Sequence, residues 1–181
     1  MQSDELKIIK KCMKNNASAQ KTIYEKYKVR WFMICLRYAN NKPEAEDMLQ
    51  EGLINVFKNI KQYDPKKAEF SAWSNKIMVN AGLQYLRKWK KVDFTENVDD
   101  YQNQMVNNNE NVFDKIGAKE LTLLVQQLPP GYRVVFNMYV IEGYMHREIA
   151  EILNISENTS KSQLLKAKKM LRSQLETVLN Y

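Results

Sequence analysis

The stretch REIAEILNISENTSKSQLLKAKKML, Arg147 to Leu171, predicts a short helix, a tight turn and a longer helix. Ile149, Ala150 and Leu153 give the short helix one apolar face. The turn is Asn154-Ile155-Ser156, and its serine is a good N-cap because the hydroxyl can accept from a backbone N–H of the next turn. This pattern is typical of a helix-turn-helix, whose second helix enters the major groove of DNA.

The second helix separates its apolar residues from its basic ones. Leu164, Ala167 and Leu171 recur at three and four residues and form the predicted buried face. The other face combines basic and hydroxyl side chains, which can reach phosphates and base edges. An exposed basic face without a DNA-binding role is the alternative. The candidate residues for duplex DNA are Arg147, Thr159, Lys161, Ser162, Leu165, Lys166 and Lys169.

The rest of the chain also has helical periodicity, and it contains only five Gly and four Pro. Apolar residues three and four apart predict long helices over 18–40, from Pro43 to about Ile60, and from Phe70 to about Lys91. Shorter helices are predicted around Ile9, from Ile116 to Leu128, from about Val134 to Gly143, from His146 to Leu153 and from Glu157 to about Leu179. We therefore predict an all-α fold.

The net charge of +7 is unevenly distributed. Residues 1–92 have a net charge of +10, residues 93–115 of −5 and residues 116–181 of +2. The acidic middle is rich in Asn, Asp and Gln and has no apolar periodicity, as expected of a solvated linker. The sequence thus predicts a helical bundle over 1–92, an acidic flexible linker over 93–115 and a small helix-turn-helix domain over 116–181.

The composition excludes several classes of protein. Cys12 and Cys35 with one His cannot form a disulfide framework or a four-ligand zinc site, so both thiols are predicted to be core residues. No stretch approaches the roughly 20 apolar residues of a membrane span, and residues 1–11 resemble no signal peptide. We expect a cytoplasmic protein without a cofactor, a metal or catalytic activity.

Two sets of motifs resemble the extracytoplasmic-function (ECF) type of bacterial RNA polymerase sigma factor. Residues 128–175 resemble the family's minus-35 binding domain. The segments AEDMLQEGLINVFKNIKQYDPKKAEFSAW and NKIMVNAGLQYLRKWKK resemble its polymerase-docking and promoter-melting helices. The resemblance implies a dissociable subunit, monomeric when free, that directs core RNA polymerase to promoters by recognising minus-35 duplex DNA and by melting and holding minus-10 DNA.

The resemblance implies a docking face on the second long helix. Glu44, Asp47 and Glu51 are three and four residues apart, on the side opposite the apolar positions. In the family this helix docks on the clamp coiled coil of the largest polymerase subunit, which assigns Asp47, Gln50 and Glu51 as contacts. The alternative is a solvated acidic face near a helix N-terminus.

The third long helix is predicted to have a polar and basic stripe along one side. Basic residues suit phosphates, and Asn and Gln suit base edges. In the family this helix and the preceding loop, here 65–71, hold the non-template strand of the minus-10 element with a flipped base. A solvated basic face is the alternative. The candidate minus-10 residues are Lys76, Asn80, Gln84, Arg87, Lys88 and Lys91.

The expected partners follow from the same resemblance. They are core RNA polymerase, through the clamp coiled coil and the flap of the second-largest subunit, promoter DNA, and an anti-sigma factor. The 23 residues of the linker can extend to about 78 Å, which is about two turns of DNA. In the family the linker passes toward the active-site and RNA-exit channels. An ordinary solubilising tether is the alternative.

Four positions depart from the family pattern. Met145 stands where a capping Ser or Thr is common, so His146 or another neighbour must cap the helix. Gly82 lies inside a predicted helix, where it can allow close approach of DNA or of a neighbouring helix. Gln163 replaces a frequent Arg and Leu165 a polar or aromatic residue, so the base preferences of the family do not transfer to this chain.

The alternative function is an autonomous helix-turn-helix repressor or activator.

Overall fold

The computed structural model describes residues 2–89, 91–94 and 118–179, and the chain divides into two compact units, Met1–Trp89 and Lys90–Tyr181. All regular structure in these ranges is helical, which confirms the predicted all-α fold. Residues 95–115 of the predicted linker lie outside the described residues. Phe94, the second residue of the predicted linker, is buried in the second unit.

The first unit contains four α-helices. They are α1 (Gln2–Cys12), α2 (Ala17–Tyr38), α3 (Lys42–Asn59, followed by the 3-10 turn Ile60–Gln62) and α4 (Phe70–Trp89). The side chains of Asn16 and Asn41 cap α2 and α3 by accepting from the backbone N–H of Ala19 and Glu44. Pro43 lies in the first turn of α3, as predicted, where its missing N–H breaks no helical bond.

The core of this unit lies between α2, α3 and α4, with α1 packed on α2. The indole Nε1 of fully buried Trp31 donates to Ser74 Oγ over 3.2 Å, which joins α2 to α4. Gly82 faces Tyr38, whose Cβ would lie 3.3 Å from a Cβ at position 82. Of the two close approaches predicted for Gly82, the structure therefore has the one with a neighbouring helix.

The two cysteines are free thiols in this core, and both are fully buried. Burial raises the pKa of the Cys35 thiol to about 12, so this thiol stays protonated and unreactive at neutral pH. The prediction that both cysteines are core residues is confirmed.

The second unit contains α5 (Ala118–Gln126), α6 (Pro130–Phe136), a π-helical turn (Asn137–Ile141), α7 (His146–Leu153) and α8 (Glu157–Leu179). Helices α5, α6 and α7 all pack against α8, which is the central helix of the unit. The buried guanidinium of Arg133 donates from Nη1 to the carbonyl of Gln126 over 2.8 Å, and so satisfies a carbonyl at the C-terminus of α5. The bounds predicted for α7 and α8 agree with the structure.

Candidate nucleic-acid interfaces

The turn between α7 and α8 is fixed by backbone conformation and by a serine cap. Asn154 ends α7 in the left-handed conformation, with φ of 57°, a conformation that Asn tolerates better than most residues. Ser156 Oγ accepts from the backbone N–H of Thr159 at 2.9 Å, as the sequence predicts. These contacts give α7 and α8 a defined relative orientation, which a major-groove reader requires.

The start of α7 is capped although Met145 cannot cap it. The Met145 side chain makes no capping hydrogen bond, but its backbone N–H donates to Glu148 Oε2 over 2.8 Å. This bond is half of a capping box, in which the N3 carboxylate reaches back to the N-cap N–H. The neighbour whose side chain makes a capping hydrogen bond at this helix start is therefore Glu148 and not His146, and the bond is the one to the N-cap N–H.

His146 instead joins α7 to α8. Its Nδ1 lies 2.8 Å from Ser160 Oγ, and its ring stacks on Tyr139 of the π-helical turn with the ring centres 4.4 Å apart. Burial lowers the pKa of His146, and the nearby ammonium of Lys161 lowers it further. Desolvation and like charge both disfavour the imidazolium, so the neutral ring predominates at neutral pH.

Five of the seven residues predicted to contact duplex DNA lie along the outer side of α8, from Lys161 and Ser162 through Leu165 to Lys166 and Lys169. Lys161 and Leu165 are exposed, Leu165 to 61%, and the other three are half-buried. The Lys166 ammonium lies 5.9 Å from the centre of the Tyr132 ring, so part of its side chain rests on the unit's core. Ser162 Oγ donates to the carbonyl of Thr159 over 3.0 Å, which leaves its oxygen as an acceptor.

The other two, Arg147 and Thr159, lie near the N-termini of α7 and α8. Arg147 is exposed and pairs with Glu151 at 3.4 Å, while Lys161 pairs with Glu157 at 3.8 Å. Such exposed pairs are worth about 0–1 kcal/mol, so exchanging them for DNA phosphates costs little. The Thr159 hydroxyl lies 2.8 Å from that of Ser156 and takes part in the cap.

Gln163, at the position where the family often has Arg, faces inward. Its side chain is fully buried, and Nε2 donates to the backbone carbonyl of Phe94 over 2.7 Å. Gln163 therefore contributes no side chain to the outer face of α8, and the reading face has one basic group fewer than the family pattern.

The predicted minus-10 stripe lies on α4 except at its last position. The exposed residues are Lys76, Asn80, Gln84, Arg87 and Lys88. The helix ends at Trp89, and Lys91 lies beyond it with φ of 49°, in the second unit. The prediction of a helix to about Lys91 is wrong by about half a turn, because no Gly or Pro in RKWKK marks the stop. Lys91 therefore does not continue the stripe.

Trp89 is a functional candidate that the sequence reasoning missed. Its side chain is 59% exposed at the end of α4, and the Lys88 ammonium lies 4.6 Å from the centre of its ring. An exposed aromatic ring beside basic groups is the arrangement on which single-stranded bases stack. The signal in the sequence is the aromatic residue inside the basic run RKWKK.

The predicted docking residues lie on α3, but one acidic neighbour does not share their face. Asp47 and Gln50 are exposed and Glu51 is half-buried. Asp47 Oδ2 accepts from the Tyr85 hydroxyl over 3.3 Å. Glu44, expected on the same face, is buried and accepts from the backbone N–H of Asn40 at 3.1 Å. The spacing Asn41-x-x-Glu44 resembles a capping box and could have identified this role.

A groove of about 590 Å³ lies between α3 and α4. Glu51 and Asn55 of α3 form one wall and Gln84 and Arg87 of α4 the other, with Ile54 and Lys88 completing the lining. Ile54 is 66% exposed and supplies an apolar contact point there. The last turns of the predicted minus-10 stripe therefore border the last predicted docking residue.

The two units match two known regions of one class of protein. The family described as Sigma-70 region 2 matches residues 23–92, and the family described as Sigma-70, region 4 matches residues 118–171. The first match contains α4 and the whole of the predicted docking helix α3, and the second contains the helix-turn-helix. The pair defines a sigma-70 type of transcription initiation factor.

Two relatives that match along most of their length identify the family within this class. The chain is 33% identical to the ECF RNA polymerase sigma factor SigW of Bacillus subtilis, over 93% of this chain and 95% of the relative. It is 30% identical to SigM of the same organism, over 83% and 91%. The chain belongs to the ECF RNA polymerase sigma factors. Sigma factors recognise promoters and catalyse no reaction, and the comparisons give no support to an autonomous repressor or activator.

Solved structures agree at the level of the fold. RpoE of Bartonella quintana, solved in complex with the anti-sigma factor NepR, matches with a TM-score of 0.54 and 16% identity, over 86% of this chain and 96% of that one. CnrH, solved with the cytosolic domain of CnrY, matches with a TM-score of 0.50 and 16% identity, over 94% and 96%. Among the described helices, none has the length and apolar content of a membrane span.

Proposed function

We propose that this sigma factor divides promoter recognition between α4, which holds the melted minus-10 strand, and α8, which reads minus-35 duplex DNA. The observation that most supports this division is the pair of exposed, basic helix faces in separate units, one with Asn and Gln between its cations and one at the second helix of a helix-turn-helix. Single-stranded and duplex DNA need such different surfaces.

On α4, the five stripe residues and Trp89 have separate roles. Lys76, Arg87 and Lys88 contact phosphates, and Asn80 and Gln84 offer amide groups to base edges. Trp89 provides a stacking surface for an unpaired base at the end of the stripe. Holding an unstacked base repays the few kcal/mol that its unpairing costs.

On α8, Lys161, Ser162, Leu165 and Lys166 occupy the central part of the reading face, with Arg147 and Lys169 at its borders. Lysine can donate to guanine O6 and N7, and an apolar side chain such as Leu165 can contact a thymine methyl group. Thr159 helps to fix the start of the helix, and its hydroxyl, which lies 2.8 Å from that of Ser156, contacts the adjacent phosphate.

On α3, Asp47, Gln50 and Glu51 form the docking face for the clamp coiled coil of core polymerase. The exposure of Asp47 and Gln50, beside the apolar Ile54, supports a protein contact that combines charge with a small apolar centre. The second unit is proposed to contact the flap of the second-largest subunit. An anti-sigma factor is the proposed inhibitory partner, because RpoE, which shares the fold, was solved with one.

Transcription from a cognate promoter by purified core polymerase, with and without this protein, tests the proposal. We expect initiation that depends on the added protein and fails when either promoter element is replaced. Absence of protein-dependent initiation together with absence of co-purification with core polymerase would refute it.

A further inference from the structure

The ring of His146 has one nitrogen bound inside the second unit and one that reaches solvent. Nδ1 lies 2.8 Å from Oγ of the fully buried Ser160. Nε2 has no hydrogen-bond partner among the described residues, and it is not enclosed by protein. The ring also stacks on Tyr139 of the π-helical turn, with the ring centres 4.4 Å apart. Nε2 is therefore the polar atom through which this ring can contact another molecule.

Ser160 fixes which nitrogen of the neutral ring has the proton. Within the described part of the chain, Nδ1 of His146 is the one hydrogen-bond partner of the Ser160 hydroxyl. A buried hydroxyl proton without an acceptor costs free energy, so Ser160 donates and Nδ1 accepts. The proton of the neutral imidazole is then on Nε2, where it is available as a donor.

The same hydrogen bond opposes a second proton on the ring. An imidazolium donates from both nitrogens, so the buried proton of Ser160 would lose its acceptor. Charged groups of α8 also act on the ring: after burial, Lys161 lowers the pKa of His146, Glu157 raises it and Lys168 lowers it. The π-helical turn contributes an uncharged aromatic ring. His146 is thus held as a neutral donor with one fixed tautomer.

The position of His146 favours a DNA phosphate as the acceptor for Nε2. His146 is the first residue of α7, and in a helix-turn-helix the first helix crosses the DNA backbone. Arg147, the next residue, and Lys161, in the second turn of α8, are exposed cations of the predicted minus-35 surface. Phosphate oxygens accept hydrogen bonds from neutral as well as charged donors.

We propose that His146 is a further DNA-contact residue, whose Nε2–H donates to a phosphate beside the minus-35 element while the ring stays neutral. Ser160 is the positioning residue that fixes the tautomer and the orientation of the ring. The inference rests on the proposed function of α8 and adds a contact of a different kind from those of the lysines. It helps to set the register of the factor on the duplex without reading a base and without releasing a counterion.

The test is the double variant His146→Phe/Ser160→Ala, which removes both partners of the buried bond and keeps a ring against Tyr139. No buried polar group loses its partner, so the variant is expected to fold, which circular dichroism checks. Core polymerase with the variant is expected to bind a promoter that includes the minus-35 duplex about tenfold or more less tightly than with wild type.

A control template and a control variant separate this loss from a general defect. On a promoter fragment that contains the minus-10 element but ends before the minus-35 element, the double variant and wild type are expected to bind equally. Gln174→Met removes a side-chain hydrogen bond to Gln127 elsewhere on α8 and should bind both templates like wild type. A loss that is as large on the short fragment would overturn the proposal.

Salt and pH distinguish a neutral donor from an imidazolium. A neutral N–H releases no counterion, so the salt slope of binding is expected to be the same for wild type and the double variant. The ratio of their affinities should also stay constant at pH values above about 6.5, the ordinary histidine pKa. A slope lower by about one in the variant, with a wild-type advantage that grows as the pH falls, would overturn the neutral contact.

Replacement of single phosphates by uncharged methylphosphonates locates the contact. At one position beside the minus-35 element, the replacement is expected to weaken binding of wild type more than binding of the double variant, because the two changes remove the same interaction. Additive losses at every position would overturn the proposal.

NMR of the free factor tests the arrangement of the ring without DNA. The chain has a single histidine, so its two ring nitrogen resonances are identified directly. Nε2 is expected to be protonated and Nδ1 unprotonated, and Ser160→Ala is expected to produce a mixture of tautomers. A proton on Nδ1 of the neutral ring in wild type would overturn the proposal.

The two templates also separate this inference from the proposed function. If polymerase with wild-type factor binds them equally, the proposed role of α8 fails and the phosphate contact fails with it. If wild type prefers the longer template and the double variant shows the same preference, the role of His146 alone is refuted.

Discussion

Nδ1 of His146, the first residue of α7, lies 2.8 Å from Oγ of Ser160 in the first turn of α8. Ser160 is fully buried, so this hydrogen bond lies at the centre of the helix-turn-helix. The chain has a single histidine, and the ionisation of this ring can therefore be observed without interference from another.

The pKa of His146 is expected to lie below 6.5 in the folded protein, because burial and the ammonium of Lys161 both disfavour the imidazolium. The unfolded chain then binds more protons as the pH falls through about 6.5, so the free energy of unfolding decreases at lower pH and recovers above it. Titration of the imidazole resonance by NMR measures the pKa. Lys161→Ala should move it upward, and a folded-state value at or above 6.5 would contradict the prediction.

Ser74→Ala is expected to destabilise the first unit by about 1–3 kcal/mol, since it leaves the buried indole N–H of Trp31 without its acceptor. The three tryptophans, Trp31, Trp73 and Trp89, all lie in this unit, so urea denaturation followed by tryptophan fluorescence reports its stability. In a Trp31→Phe background the same serine substitution should cost clearly less. Equal costs in the two backgrounds would show that the indole bond is not the reason.

Asp47→Lys is expected to weaken core polymerase binding by about tenfold or more, equivalent to about 1.4 kcal/mol, because it reverses a charge on the proposed docking face. Asp4→Lys is the matched control: it makes the same substitution at an exposed aspartate of α1, which pairs with Lys7 and lies outside the proposed docking face. The affinity of each variant for core polymerase is measured by fluorescence anisotropy, and its helicity is checked by circular dichroism. Equal losses of affinity in Asp47→Lys and the control would refute the assignment.

Lys161→Ala and Lys166→Ala are each expected to weaken minus-35 recognition by about 1–3 kcal/mol if the lysine reads a base. The measurement is holoenzyme binding to promoters with native and substituted minus-35 elements over a range of salt concentrations. A loss that is equal on every sequence, with a salt slope lower by about one, would identify a phosphate contact instead. Lys7→Ala, at an exposed lysine of α1 paired with Asp4, should change neither quantity.

Trp89→Ala is expected to weaken binding of the opened minus-10 strand by about 1–3 kcal/mol through loss of stacking, and Trp89→Phe to retain much of it. Binding to a promoter with a preformed bubble isolates this step from melting. If alanine and phenylalanine behave alike on that template, Trp89 is not a stacking surface.

Local signals account for what the sequence predicted well. The end of α7 follows from Asn154 and the start of α8 from Ser156, each of which acts on the backbone of its own neighbours. The π-helical turn at 137–141 was not predicted, because its apolar spacing does not differ enough from that of an α-helix.

The errors occurred where distant residues decide the environment. Gln163 was noted only as a departure from a frequent Arg, and its burial was not predicted, because the acceptor of its amide is the carbonyl of the distant Phe94. Phe94 itself is one aromatic residue beside an acidic segment, and composition could not distinguish it from a linker residue. Glu44 was grouped with an acidic face because of its spacing. Its side chain is instead buried at the N-terminus of its own helix, where the carboxylate accepts from the backbone N–H of Asn40 and the Glu44 N–H donates to Asn41.

The groove between α3 and α4 has a thermodynamic consequence. Glu51 and Arg87 line the same cavity, so a polymerase helix on the α3 wall and a DNA strand on the α4 wall would meet within one site. The two binding equilibria would then be linked, and whatever factor polymerase contributes to DNA affinity, DNA must contribute equally to polymerase affinity. Tighter binding of the melted strand would thus slow the dissociation of the sigma factor from polymerase. One coupling free energy would then set both promoter affinity and sigma release.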